Sequence, residues 1–214
     1  MYKNIMFDLD GTLTDSGYAI MSSVKYALSQ LGITDQPEEK LRTFVGPSLH
    51  DSFIREYGLD EETCQKAIAD YRKIYSSELM YEVEVYEGIP ELLKILKDKG
   101  YVVILITSKP LVFAGKILEK VGLAKYFDHV IGTDLKDPSS DKARLIDRAV
   151  KTYDLKKEEC LMIGDTKYDV IGAKNYGVDS VGVTYGYGSR EELENAEATY
   201  ISDKAINILE IAGL

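Results

Sequence analysis

From Tyr86 onward, short apolar runs alternate with stretches that are apolar on one helical face only, and this rhythm limits the possible folds severely. Residues 101–107, 129–131, 160–164 and 180–183 read as strands, because each is brief, aliphatic or β-branched, and almost free of polar alternation. Between them, residues 90–99 put Leu92, Leu93 and Leu96 on one helical face and stop at Gly100. Residues 111–121, 142–153, 169–176 and 204–211 read as helices in the same way. A strand that is apolar on both sides must be covered on both sides. The pattern therefore predicts an α/β fold, a doubly wound parallel sheet with helices on each face.

The segment before Tyr86 breaks that rhythm. A first apolar strand ends near Phe7, and residues 16–80 then read as helices. Ile20, Met21, Val24, Leu28 and Leu31 form one stripe, and Ala67, Ile68, Tyr71 and Ile74 form another within residues 61–77. The expected organisation is a core of residues 1–15 and 81–214, with a small all-helical cap domain, residues 16–80, inserted after the first strand. It would lie over the carboxyl edge of the sheet, where open α/β folds bind ligands.

Composition narrows the function. A formal charge of −10 argues against a nucleic-acid partner, whose phosphates need a basic face. The longest aliphatic run, residues 102–106, is far too short for a membrane span. Nothing at the start resembles a signal peptide, so the expected location is cytoplasmic. Two histidines and two distant cysteines, Cys64 and Cys160, give little support to a zinc site or a serine–histidine hydrolase. The oligomeric state is not readable from these features.

What remains is a set of polar stops at strand ends. Ile5-Met6-Phe7 runs into Asp8-Leu9-Asp10-Gly11-Thr12, two carboxylates one residue apart and then a glycine that lets the backbone turn tightly. The strand at 102–106 ends in Thr107-Ser108-Lys109-Pro110, Lys142 opens a helix, and the strand at 161–163 ends in Gly164-Asp165 with Asp169 four residues on. Singly these are ordinary: an Asp-x-Asp turn, N-cap hydroxyls, a solvated lysine. Jointly, at one sheet edge, they gather Asp8, Asp10, Asp165 and Asp169 with Thr107, Ser108 and Lys142. Carboxylate oxygens suit a hard cation such as Mg²⁺, and hydroxyls with a lysine suit phosphate oxygens.

On these residues the chain resembles the haloacid dehalogenase superfamily, in the branch with a helical cap. Asp8-Leu9-Asp10-Gly11-Thr12 is similar to its first motif, Thr107 to its second, Lys142 to its third, and Gly164-Asp165 through Asp169 to its fourth. Phe44-Val45-Gly46-Pro47-Ser48-Leu49, Asp70-Tyr71-Arg72, Thr107-Ser108-Lys109-Pro110 and residues 182–193 resemble phosphoglycolate phosphatase-like proteins and those called 5′-nucleotidases. Lys142-Ala143-Arg144 departs from the Lys-Pro-x-Pro of many phosphoglycolate phosphatases and β-phosphoglucomutases, which favours the nucleotidase-like group.

The resemblance implies a central first strand between the Thr107 and Gly164 strands, and a phosphatase acting on a small phosphorylated metabolite, either a nucleoside monophosphate or a phosphoglycolate-like acid. Asp8 is then the nucleophile and Asp10 the general acid and base. Thr107, Ser108 and Lys142 hold phosphate. Mg²⁺ is bound by Asp8, Asp10 (through its main-chain carbonyl) and Asp165, and Asp169 either binds the metal directly or orients its water shell. Relatives that cleave carbon–halogen or carbon–phosphorus bonds lack an aspartate at the position of Asp10, so Asp10 favours phosphate esters. Ser48, Ser52 and Arg72 from the cap, with Lys109 from the core, are the candidates for substrate contact. Two other readings stay open: a sugar-phosphate mutase of the β-phosphoglucomutase type, and a phosphorelay-receiver-like switch.

Overall fold

The computed structural model of the chain describes residues 1–77, 79–135 and 141–214. In chain order the elements begin with β1 (Asn4–Phe7), β2 (Thr14–Asp15), α1 (Gly17–Gln30), α2 (Glu38–Arg42), α3 (Leu49–Tyr57), α4 (Glu61–Tyr75) and β3 (Glu84–Val85). They continue with α5 (Ile89–Asp98), β4 (Val102–Pro110), α6 (Leu111–Lys120), β5 (His129–Thr133), α7 (Lys142–Thr152) and β6 (Cys160–Gly164). The last are α8 (Lys167–Tyr176), β7 (Asp179–Val183), α9 (Arg190–Asn195), β8 (Tyr200–Ser202) and α10 (Ile208–Ala212).

Six strands form one sheet in the order β5-β4-β1-β6-β7-β8, and every neighbouring pair is parallel. β1 is central, as expected, between β4 and β6. The strand order reverses there, so the loops leaving the carboxyl ends diverge and leave a crevice beside Asp8. Period-two alternation sorts the side chains. Ile5, Phe7, Val103, Leu105, Leu161 and Ile163 meet Leu92, Leu93, Leu96, Ile117 and Ile208 on one face. Met6, Ile104, Ile106 and Met162 meet Leu145, Ile146, Ala149 and Ala173 on the other.

Helices α1 to α4 build a third apolar cluster around Val24, Leu28, Phe44, Phe53, Ile68 and Tyr75, which Phe113 of α6 joins from the sheet side. Local chemistry starts these helices: the Ser48 hydroxyl accepts from the Asp51 N–H, and the Asp60 carboxylate accepts from that of Thr63. The chain enters and leaves the helical layer through β2 and β3, paired antiparallel with Thr14 opposite Val85 and Asp15 opposite Glu84. Sequence reading expected no strand between β1 and Tyr86. Two residues per strand are too few for any periodicity to register.

Three other boundaries differ from expectation. α8 opens two residues early, because Asp169 reaches back to the Thr166 N–H at 3.2 Å and closes the first turn. The final helix is divided into a 3₁₀ turn at Ala205–Asn207 and α10. α9 and β8 follow β7 and complete one edge of the sheet. Among the described residues no helix is long and apolar enough to cross a membrane.

Candidate active site

The carboxyl ends of β1, β4 and β6 and the start of α7 converge on one buried centre. Asp8 follows the last residue of β1, and its N–H donates to the Ile163 carbonyl at 2.9 Å, so the ladder fixes it beside β6. Asp165 follows β6, and Asp169 lies in the first turn of α8. Oxygens of Asp8, Asp165 and Asp169 lie within 4.8 Å of one another, and all three residues are buried. Lys142, the first residue of α7, places Nζ 2.9 Å from Asp8 Oδ1 and 2.8 Å from Asp169 Oδ1. It also donates to the Ile106 carbonyl at 3.0 Å. An ammonium has three donors, and all are committed here.

Three clustered carboxylates, two of them paired with one ammonium, leave a formal excess of two negative charges in a buried site. The ionisation equilibria register that imbalance. Burial pushes the Asp8 carboxyl up to about 7, against the pull of Lys142 and with the repulsion of Asp169 and Asp10. Burial, reinforced by Asp169 and Asp8, holds Asp165 well above the usual carboxylate range. Burial also works against the Lys142 charge, but Asp169 and Asp8 outweigh it and raise the lysine's pKa. Hard oxygen donors with surplus negative charge fit a divalent cation such as Mg²⁺, which would bring both carboxyls back to the ionised form.

Asp10 turns its carboxylate elsewhere. Ser16 Oγ donates to Oδ1 at 2.6 Å, and Lys109 Nζ sits 3.0 Å from Oδ2, so both its oxygens have partners outside the trio. Lys109 in turn donates to the Tyr75 hydroxyl at 2.7 Å, an ammonium bridging the sheet edge to α4. Thr107 is buried beside it and its Oγ1 accepts from the Lys109 N–H at 3.1 Å. The Ser108 carbonyl accepts from Thr133 Oγ1.

Backbone close approach shapes the floor. Gly11 has φ +85°, and a Cβ there would collide with the Asp165 carboxylate. Gly186 lies against both the Gly11 carbonyl and Asp165. The Tyr187 N–H donates to Asp165 Oδ2 at 2.9 Å and Thr12 Oγ1 to Oδ1 at 3.1 Å. The Tyr187 hydroxyl meets Asp15 and accepts from the Gly17 N–H, where β2 gives way to α1.

A cavity of about 130 Å³ opens between this centre and the helical layer. Of the expected substrate contacts, Ser48, Arg72 and Lys109 line it, as does Ser108, whereas Ser52 does not. Ser52 is fully buried on α3 and its hydroxyl has no hydrogen-bond partner among the described residues, so its side chain faces packing rather than the cavity. Sequence reading missed Thr12, Ser16, Tyr75 and Tyr187. The alternation Tyr185-Gly186-Tyr187-Gly188, just after a buried strand, was the available signal for the last.

A doubly wound parallel sheet with a buried acidic centre at its carboxyl edge is the frame of an α/β enzyme. The chain belongs to the haloacid dehalogenase-like hydrolases, whose family model matches residues 5–183. A 5′-nucleotidase from Pseudomonas aeruginosa is 40% identical over 205 residues, 95% of this chain and 93% of the relative. A phosphoglycolate phosphatase from Vibrio parahaemolyticus is 31% identical over 220 residues, covering 99% and 96%. Among solved structures, a predicted phosphatase from Clostridium acetobutylicum matches with a TM-score of 0.94 and 45% identity, over 98% of this chain and 99% of that one. This kinship places the chain among the family's phosphatases.

Proposed function

We propose that the protein is a Mg²⁺-dependent cytoplasmic phosphatase that hydrolyses a small phosphate monoester, a nucleoside monophosphate or a phosphoglycolate-like acid, through an aspartyl-phosphate on Asp8. The observation that carries this reading is the trio of buried carboxylates, two of them paired with one fully committed lysine. Mg²⁺ held by Asp8, Asp165, Asp169 and the Asp10 main-chain carbonyl would supply the positive charge that a phosphate dianion needs beside a carboxylate nucleophile.

In the first step Asp8 attacks phosphorus, the bond from phosphorus to the leaving oxygen breaks, and Asp10 gives that oxygen a proton. In the second, Asp10 takes a proton from water, the water oxygen attacks phosphorus, and the Asp8–phosphorus bond breaks. Lys142 aligns Asp8, and it reaches the transferring oxygens only by releasing one of its present partners. Thr107 and the Ser108 N–H complete the cradle for those oxygens. The division into a core of residues 1–15 and 81–214 and a cap of residues 16–80 belongs to the same reading, with the β2–β3 ribbon as its hinge and the cap as a lid that excludes water.

The test is hydrolysis of p-nitrophenyl phosphate and of phosphorylated metabolites with Mg²⁺ and with EDTA, alongside mass spectrometry of quenched enzyme. Turnover that needs Mg²⁺, a phosphorylated Asp8 peptide and loss of both in Asp8→Asn are expected. Wild-type turnover by Asp8→Asn refutes the proposal, and phosphate transfer to sugar instead of water in a coupled isomerisation assay replaces it with the mutase reading.

A further inference from the structure

A carboxyl that passes a proton to a leaving oxygen must keep one orientation, and both oxygens of Asp10 are held by groups that trace back to the helical layer. Oδ1 accepts at 2.6 Å from Ser16, which stands immediately before α1, and Oδ2 lies 3.0 Å from Lys109 Nζ. Lys109 in turn donates at 2.7 Å to the hydroxyl of Tyr75, the last residue of α4. Asp10, Lys109 and Tyr75 are all buried, so little water competes for these contacts.

The far end of this chain is locked by packing. The Tyr75 ring stacks on Tyr71 at 5.2 Å and 15°, and Phe113 of α6 stands edge-on to it at 5.8 Å and 72°. Burial holds the Tyr75 phenol well above its usual range, so the hydroxyl stays neutral and does not compete with Asp10 for the lysine's charge. An ammonium on a flexible stem has no preferred direction of its own. The lysine's backbone is set by β4, where its N–H donates to Thr107 Oγ1 at 3.1 Å, and the Tyr75 hydroxyl selects where the ammonium points. A lysine placed only to neutralise Asp10 needs no second acceptor, and a tyrosine placed only to pack needs no hydroxyl. Catalytic groups keep their productive geometry when the residues that hold them have their own rotamers fixed by packing.

We infer that Tyr75 is a positioning residue for the general acid: its hydroxyl fixes Lys109, and Lys109 fixes the Asp10 carboxylate. The alignment of the acid is thereby tied to how α4 sits on the sheet edge, through a side chain that touches no reacting atom. The inference rests on the phosphatase reading for the role of Asp10, but stability measurements test the linkage separately from turnover.

Tyr75→Phe keeps the ring and removes only the hydroxyl. Across a series of alkyl and aryl phosphates with Mg²⁺, its kcat is expected to fall about tenfold for alkyl esters, a part of the ~10²–10⁴-fold that general acid–base catalysis supplies, while KM moves little. The loss is expected to be at least about fivefold smaller for p-nitrophenyl phosphate, whose leaving group needs little protonation. In a Lys109→Met background the same substitution is expected to add less than about twofold, because the hydroxyl acts through the ammonium. Urea unfolding in EDTA supplies the second readout. A double-mutant cycle of Tyr75→Phe with Asp10→Asn is expected to show a coupling of at least about twofold in the unfolding constant, and to lose it when Lys109 is Met. A purely structural Tyr75 would lower stability without changing the dependence on the leaving group. Equal losses on alkyl and aryl phosphates, a full Tyr75→Phe effect in the Lys109→Met background, or an uncoupled cycle each overturn the inference and leave the phosphatase reading standing. A Lys109-dependent coupling in a protein that hydrolyses no monoester sinks the phosphatase reading and leaves the orientation of Asp10 by Tyr75 standing.

Discussion

Asp8→Asn, the substitution expected to abolish turnover, is also expected to stabilise the metal-free protein. Asp8 is held at a pKa of about 7 against an ordinary 3.8, with burial as the leading cause. Between those two values the folded protein binds a proton that the unfolded chain has released. Stability therefore falls as pH rises through that window, and above pH 7 the full cost is present. At about 1.4 kcal/mol per pH unit, the rise corresponds to as much as about 4 kcal/mol, and relaxation around the site reduces this to roughly 2–4 kcal/mol. Asparagine avoids the cost and keeps an oxygen for Lys142, which also retains Asp169 at 2.8 Å and the Ile106 carbonyl. Urea unfolding in EDTA at pH 8 is expected to show Asp8→Asn more stable than wild type by that margin, with the two converging near pH 4. Added Mg²⁺ should then stabilise the wild type more than the variant, because it binds the folded state and meets one carboxylate fewer in the variant. A variant no more stable than wild type at pH 8 in EDTA would show that the acidic centre is not under the electrostatic load described here.

Other substitutions probe the neighbouring contacts. Lys142→Met leaves Asp8 and Asp169 buried without their cation, and a loss of about 3–5 kcal/mol is expected at pH 8, shrinking toward pH 5 as Asp8 takes up a proton; urea midpoints at both pH values check it. Lys109→Met removes one of the two groups holding Asp10 and strands the buried Tyr75 hydroxyl. It is expected to lower kcat more than it raises KM for alkyl phosphates, and to cost less with p-nitrophenyl phosphate, whose leaving group needs little help from an acid. His50 bonds Glu61 at 2.8 Å, and that contact raises its pKa above 6.5. Its contribution is fully present below pH 6.5 and fades as pH rises through the raised value, so His50→Gln is expected to cost under about 1 kcal/mol at pH 5.5 and nothing at pH 9. Equal losses at both pH values would contradict the assignment.

The parts of the fold that could be read from sequence are those whose pattern repeats along the chain. β4 and β6 are near-continuous apolar runs, and α5 and α7 carry apolar residues at helical spacing, so burial on two faces or one is written locally. β2 and β3 escaped because their only warrant is each other, across about seventy residues of chain, through two opposed pairs. The start of α8 escaped for a related reason: Asp169 was read for what it offers a cation, while it also caps its own helix, with Oδ2 on Thr166 and Oδ1 on Lys142. One residue answering to two constraints shows only one of them in a sequence.

The acidic centre follows the same division. Asp8, Asp165 and Lys142 were legible because a charge placed where an apolar strand ends, or where a helix begins over it, has few innocent explanations in a buried sheet. Thr12, Ser16 and Tyr187 had innocent explanations in plenty, and only the folded chain shows them fixing Asp165 and Asp10. Specificity lies further along that gradient. The motifs specify what is done to phosphorus, but the cavity wall is assembled from α4, α6 and the turn before α3, and none of its residues is exceptional by type. Ser52 was singled out by type and faces packing, while Gln65 was passed over and Phe44 was noted only within a motif, yet both line the cavity. The chemistry of a chain like this is written at strand ends, whereas its choice of substrate is decided by packing between a helical layer and a sheet. Substitutions that resize this wall, beginning with Ile68→Trp, are therefore expected to shift substrate choice far more than substitutions of the singled-out Ser52.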